Sequence, residues 1–181
     1  MQANKVVKNA SWIIVCKIIQ SALGLVVTML SARFLGPSGY GLINYAASIV
    51  AFIAPVMYLG FNSVIVQELI KNPESEGQTL GTAICSSFIA SFFCVAGVAA
   101  FVFIANSGET DTLIVCALYS SLLIFQALEL IVYWFQSKLL SKYSSIVSLI
   151  AYIVVSAYKI YLLATAKSVY WFAISNSLDY L

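Results

Sequence analysis

Long apolar runs separated by short polar connections are the feature that most constrains how this chain folds. A run of about 20 apolar residues, at 1.5 Å rise per residue, crosses the hydrocarbon core of a bilayer. Five such runs and the start of a sixth follow one another, at residues 10–32, 40–62, 80–105, 112–136, 144–165 and 169–181. The pattern predicts an all-α polytopic membrane protein with five complete transmembrane helices and the start of a sixth.

The composition favours lipid over water as the solvent of this chain. Hydrophobic residues make up 62% of it and charged residues 9%, whereas a soluble domain has about 25% charged residues. The first run is about twice as long as the apolar part of a signal peptide, and Lys17 interrupts it. We therefore expect an uncleaved first span.

The sequence offers few of the residues that catalysis, metal binding or nucleic-acid binding requires. The chain has no histidine, the commonest general base and metal ligand. Its four cysteines form no CxxC pair, and we interpret them as packing residues in the membrane: Cys16, Cys85, Cys94 and Cys116. A net charge of +2 does not favour nucleic acid. We expect no enzyme activity, no metal, no cofactor and no nucleic-acid partner.

The lysine and arginine residues of the connections predict an orientation. With a cytoplasmic N-terminus, the outer side would carry Arg33 and Lys167. The inner side would carry five lysines, which are Lys5, Lys8, Lys71, Lys138 and Lys142. Because positively charged connections stay on the cytoplasmic side, this bias predicts that the N-terminus is cytoplasmic.

Polar residues recur at helical spacing within the apolar runs. Hydrocarbon offers them no hydrogen-bond partner, so such faces turn toward a bundle interior or a wet cavity. Helix packing through small residues and hydroxyls is one interpretation. A cavity is the other, and it is favoured where lysine, glutamate and glutamine occur. The candidate substrate-binding residues of that cavity are Lys17, Gln20, Asn44, Gln126, Glu129 and Lys159.

Lys17 and Glu129 have a similar predicted depth. Lys17 lies about 10 Å from the inner end of its span, and Glu129 lies comparably far from the inner end of the fourth. We hypothesise that the two approach each other within the bundle, since their attraction at low dielectric would offset part of the cost of burying both. Lys159 lies nearer the outer surface, from where its ammonium can reach toward the interface.

Glycine and proline residues predict where helices end or bend. Gly36 and Gly108 are expected to end helices. Pro55 removes a backbone donor in the second span and should kink it, and Gly60 follows shortly after. Two interpretations of Pro55 and Gly60 stay open, a hinge and a static kink.

Three segments resemble one known family. These are "ARFLGPSGYGLINYAASIVAFIAPVMYLGFNSVIVQELIKNPE" (Ala32–Glu74), "YWFQSKLLSKYSSI" (Tyr133–Ile146) and "KSVYWFAISNSLDYL" (Lys167–Leu181). They are similar to the first outer loop with the second span, the inner end of the fourth span, and the entry of the sixth span of bacterial lipid-linked oligosaccharide flippases. Those flippases belong to the multidrug/oligosaccharidyl-lipid/polysaccharide exporter superfamily.

The resemblance implies two lobes of helices around a central cavity, of which this chain would be the truncated N-terminal lobe. It implies alternating access in the bacterial inner membrane. The substrate would be an undecaprenyl-diphosphate-linked oligosaccharide for surface polysaccharide such as O-antigen or capsule. The implied partners are membrane lipids and other polysaccharide assembly proteins. Lys17, with the amides and hydroxyls beside it, suits the diphosphate, because charged donors replace its water.

Two other functions remain open from the sequence. A cation-coupled multidrug exporter of the same superfamily would need an acid in the cavity, and Glu129 is the interior candidate among the complete spans, with Asp179 in the unfinished sixth. A membrane assembly subunit without transport activity belongs to a different class. The sequence lacks the long outer loops or soluble domain that such a subunit would use.

Overall fold

The computed structural model describes residues 2–58, 60–165 and 168–178, with side chains from residue 10 onward except at 61–63. Every regular element in these ranges is helical. The helices are α1 (Gln2–Met57), α2 (Phe61–Lys71), α3 (Glu76–Ala105), α4 (Thr110–Ser120), α5 (Leu122–Gln126), α6 (Ile131–Ser137), α7 (Ser141–Ala164) and α8 (Val169–Ser177), with 3₁₀ turns at Pro73–Ser75 and Ala127–Leu130. The side chains of Lys5 and Lys8, and the whole of Lys167 and Asp179, lie outside the described residues.

Four helical segments of the described chain are long and apolar enough to cross a membrane. They are Ala10–Met57, Pro73–Ala105, Thr110–Ser137 and Ser141–Ala164. The chain is thus an all-α protein of the membrane class, whereas the count of five complete spans and a sixth stays a prediction. The difference comes from the first segment, whose 48 residues would measure about 72 Å as one straight helix, more than twice the core of a bilayer.

That first segment is divided at Gly36. This residue has φ 69° and ψ 176°, a combination that is essentially restricted to glycine. Pro37 follows it, in the first position of the next helix, where proline is favoured. The predicted helix end at Gly36 is confirmed. We call residues 2–35 arm A and residues 37–57 arm B.

Arm B runs antiparallel to α3. Near its start, Ile43 packs in one buried cluster with Val102, which lies close to the end of α3. At its end, Met57 packs with Cys94, two turns earlier in α3. Buried residues repeat every three or four positions along α3, and this stripe holds the bundle together by close packing, as is usual in membrane helices.

Arm A runs parallel to α7 and opposite to arm B. Gly24 of arm A lies against Tyr152 near the middle of α7. Leu163, close to the end of α7, packs in the same cluster as Ile43 at the start of arm B. The chain therefore reverses its direction at Gly36.

Three of the lysines predicted to share one side of the membrane lie at one end of the bundle, which we call the lysine end. One of them, Lys71, ends α2 just before the turn that leads into α3. Lys138, after α6, forms an ion pair with Glu76 at the start of α3. Trp134 Nε1 donates to Glu76 Oε2 at 3.0 Å, and Lys142 Nζ lies 5.0 Å from the ring centre of Trp12. The starts of arm A, α3 and α7 thus meet the end of α6 here.

The second predicted span ends earlier than expected. Arm B is helical to Met57, and the Tyr58 amide still bonds the Ala54 carbonyl at 3.2 Å, past Pro55. The break comes at Gly60, which adopts φ 76° and ψ 6° in the left-handed region, and α2 then continues to Lys71. The helix is thus interrupted after Pro55 rather than at it, and a hinge at this break stays a prediction.

Candidate functional site: a polar cavity between arm A, α6 and α7

A cavity of about 660 Å³ lies between arm A, α6 and α7, toward the lysine end. Both apolar and polar side chains line it. The polar and aromatic-hydroxyl residues are Lys17, Gln20, Tyr119, Glu129, Tyr133, Gln136, Ser141, Ser144, Ser145, Ser148, Tyr152 and Asn176. A cavity this polar at membrane depth favours the second of the two interpretations of the polar stripes.

Helical periodicity explains why these side chains converge. On arm A, Lys17 and Gln20 are three residues apart and share one face. On α7, four serines occupy positions i, i+3, i+4 and i+7, beginning at Ser141, which also defines one face. Since arm A packs along α7, the two polar faces meet.

Three of the six predicted site residues line this cavity: Lys17, Gln20 and Glu129. Asn44 does not, because it lies on the exposed side of arm B, where its Nδ2 donates to the Tyr40 carbonyl at 2.9 Å. This hydrogen bond joins two residues of the same helix turn, and Asn44 contributes nothing to the cavity wall.

Gln126 is also absent from the cavity wall. It ends α5, directly before the 3₁₀ turn Ala127–Leu130. Its Oε1 is buried and has no hydrogen-bond partner among the described residues. Leaving a buried amide oxygen unbonded costs about 1–3 kcal/mol. The side-chain amide of Gln126 therefore lies between packed helices, at a cost in stability, and not in the cavity.

Lys159 lies behind the cavity wall and does not extend toward the membrane surface. Only 5% of it is exposed, and its Nζ donates to Asn176 Oδ1 at 2.9 Å. Asn176 belongs to α8 and lines the cavity. The expectation that the ammonium reaches toward the interface is corrected, because α8 packs against α7 and supplies a partly buried acceptor.

Lys17 and Glu129 face the same cavity without touching. In the described part of the chain, Lys17 and Glu129 do not form an ion pair within 4.0 Å. Glu129 Oε2 instead accepts a hydrogen bond from Tyr58 Oη at 2.9 Å. The hypothesised contact is therefore not formed in this conformation, since Glu129 is held from the arm B side.

The sequence analysis missed several residues of the site. Ser141 lies in the connection before the predicted fifth span, and Ser144 is the first residue of that span; the sequence predicts neither as part of a cavity wall. Asn176 lies in the sixth apolar run. The four-serine pattern on one helical face was the available signal for α7, whereas no sequence signal singles out Asn176.

The cavity offers hydrogen bonding and charge for binding a ligand. Among its described lining residues, Lys17 is the cation and Glu129 the carboxylate. In the described part of the chain, no three metal-ligating side chains come together. The arrangement can hold a polar, anionic headgroup within an otherwise apolar membrane region.

Comparison with known proteins gives one match. A family model described as polysaccharide biosynthesis protein matches residues 6–181. Comparisons with curated proteins and with solved structures give no match. The matched range contains every residue of the cavity wall.

Proposed function

Because this chain belongs to the polysaccharide biosynthesis protein family, and because its helices suit a membrane, we propose that it functions as a flippase. Its substrate is an oligosaccharide carried on undecaprenyl diphosphate, which it moves across the bacterial inner membrane for surface polysaccharide assembly. Membrane location and a role in polysaccharide biosynthesis follow from the family and the apolar helices. The substrate and the transport step are the proposal.

The observation that carries this proposal is the polar cavity with Lys17 in its wall. A diphosphate that enters hydrocarbon loses its hydration, and charged and hydroxyl donors can replace the lost water. Lys17 supplies the positive charge, and the serines of α7 supply hydroxyls beside it. No bond of the substrate has to break, so transport requires only binding and a change of access.

The reversal at Gly36 supports an arrangement of five crossing helices and the start of a sixth. Arms A and B run in opposite directions, and each is long enough to cross a bilayer. Helix α8 runs parallel to α4, because Tyr170 bonds Asp111 near the starts of the two helices and Ser177 lies beside Ser121 near their ends. In the proposed topology the lysine end faces the cytoplasm, in keeping with the distribution of positive charge.

Transport into vesicles tests the proposal directly. The protein is reconstituted with a fluorescent undecaprenyl-diphosphate-linked sugar, and arrival in the opposite leaflet is measured by quenching with a membrane-impermeant reagent. We expect transport by the native chain and at least tenfold less by Lys17→Ala. The control is Lys71→Ala, which removes a lysine at the lysine end outside the cavity. No transport by the native chain, or full transport by Lys17→Ala, would contradict the proposal.

A cation-coupled multidrug exporter is the second candidate, because Glu129 lines the cavity. Such an exporter would move a cationic dye, and Glu129→Gln would abolish that movement. Lys17 in the same wall opposes the binding of cationic drugs, which makes this candidate the weaker one. A chain that transports neither the dye nor the lipid-linked sugar would instead fit an assembly subunit.

A further inference from the structure

The serines of α7 that face the cavity leave their hydroxyls unbonded. In apolar helices a serine hydroxyl commonly bonds a backbone carbonyl three or four residues earlier. Ser86 and Ser120 do so in this protein, at 2.6 Å and 2.9 Å. Among the residues that the structure describes, no protein group bonds the hydroxyls of the four cavity serines, which are Ser141, Ser144, Ser145 and Ser148.

Ser141 provides separate evidence for a ligand. It is 7% exposed, and it lines the cavity without a protein partner for its hydroxyl. Its Oγ is not among the fully buried polar atoms that lack a partner in the described chain, so this hydroxyl is reached from the cavity. A hydroxyl in that position can donate to, and accept from, a molecule that occupies the cavity.

The rest of the wall suits a polyhydroxylated and uncharged partner. Three tyrosines, Tyr119, Tyr133 and Tyr152, contribute ring faces and hydroxyls. Such groups combine an apolar surface with a polar tip, as the two sides of a sugar ring require. Lys17 is the cation among the described wall residues, and Glu129 is the carboxylate.

We propose that the α7 hydroxyl face is a subsite for an uncharged sugar, adjacent to Lys17, which holds the diphosphate. This inference rests on the proposed function and specifies its substrate class. With Lys17 committed to the diphosphate, an acidic sugar would bring a second carboxylate toward Glu129 with no further wall cation to balance it. Like charges at close distance oppose binding, so the subsite selects a neutral sugar.

Three lipid probes test the subsite on the full chain in nanodiscs. They are undecaprenyl diphosphate, the same lipid carrying N-acetylglucosamine, and the same lipid carrying glucuronic acid. Dissociation constants are measured by quenching of tryptophan fluorescence. We expect the neutral-sugar lipid to bind about tenfold more tightly than the other two. Each hydroxyl should contribute about twofold to tenfold.

Variants separate the subsite from the diphosphate site. The double variant Ser141→Ala/Ser144→Ala should bind the neutral-sugar lipid no more tightly than undecaprenyl diphosphate. Its affinity for undecaprenyl diphosphate itself should stay at the native value. Lys17→Gln should weaken binding of all three lipids by a similar factor. The matched control is Ser156→Ala: Ser156 is buried in the same helix and also makes no hydrogen bond to the described residues, but it does not line the cavity.

Each outcome bears on a different claim. The subsite is overturned if the neutral-sugar lipid binds no more tightly than undecaprenyl diphosphate. It is also overturned if Ser156→Ala weakens binding of the neutral-sugar lipid as much as the double variant does. In both cases the proposed function stands. If the acidic-sugar lipid binds as tightly as the neutral one, the selectivity for uncharged sugars is overturned. If the folded native chain binds none of the three lipids, the proposed function fails, and the subsite fails with it. Circular dichroism and size-exclusion chromatography establish that each variant is folded.

Discussion

Tyr58 donates a hydrogen bond from its Oη to Glu129 Oε2 at 2.9 Å. The bond joins two places where helical geometry is irregular. Tyr58 stands two residues before the left-handed Gly60, and Glu129 belongs to the 3₁₀ turn inside the segment that crosses from α4 to α6. Short 3₁₀ stretches within a helix often mark functional hinges. A carboxylate in the cavity wall is thus tied to the break between arm B and α2.

Tyr58→Phe should loosen this break. Removing the hydroxyl deletes a hydrogen bond to a charged group, so local opening of the first turn of α2 should become at least fivefold more frequent. Hydrogen–deuterium exchange followed by mass spectrometry measures the opening. Tyr143→Phe is the control, because Tyr143 is exposed on α7. Unchanged exchange in α2 would show that the Tyr58 hydroxyl does not restrain the break.

Reversing the charges of Lys17 and Glu129 tests whether they meet in another state of the transport cycle. Each single variant, Lys17→Glu or Glu129→Lys, should reduce transport about 10- to 100-fold, since a charge-assisted bond contributes about 1.5–3 kcal/mol. The double variant should recover part of the loss, because both residues line one cavity. Vesicle transport at matched protein levels provides the measurement, and a double variant as inactive as the singles would exclude the pair.

Gly24→Ala should be costly only while Tyr152 keeps its hydroxyl. A Cβ at position 24 would lie 2.8 Å from Tyr152 Oη but 4.0 Å from the ring carbon that bears it. We expect the variant to lower the free energy of unfolding by about 1–2 kcal/mol, and Tyr152→Phe to remove that cost.

A double-mutant cycle of thermal unfolding in detergent measures the coupling between Gly24 and Tyr152. Gly97→Ala is the control, because nothing lies within 4 Å of a Cβ built at that helical position. Equal costs of Gly24→Ala with and without the Tyr152 hydroxyl would exclude the close approach as the cause.

Asn176→Ala should destabilise the bundle through Lys159. The buried ammonium would lose an acceptor at 2.9 Å, at a cost of about 1.5–3 kcal/mol for a bond to a charged group. Asn176→Asp keeps an acceptor and should retain native stability. Thermal unfolding measures both, with Asn44→Ala on the exposed side of arm B as the control. A loss from Asn176→Ala that persists in a Lys159→Met background would point to another cause.

Depth along the bundle was predictable from the sequence, because each helical residue adds a fixed rise. Counting residues from the span ends placed Lys17 and Glu129 at one level, and both line the same cavity. The helix end at Gly36 was predictable for a related reason, since Gly36-Pro37 can hardly continue a helix.

Rotation about each helix axis was not predictable from depth. Asn44 and Lys159 lie on polar helix faces, as the cavity residues do. Packing nevertheless turns Asn44 to the surface and Lys159 toward Asn176. These choices depend on which helices are neighbours, and that is a tertiary property. The same reasoning explains why the partner of Glu129 is Tyr58 and not Lys17.

Gly36 is the single residue between arms A and B, and it can therefore act as a pivot for arm A. Lys17 lies 19 positions before it, about 28 Å along a straight helix. If arm A tilts as a rigid rod by 10° about Gly36, the backbone at Lys17 moves by about 5 Å, while the end of the arm next to Gly36 hardly moves. Any rocking of this arm would therefore widen the cavity at the lysine end first.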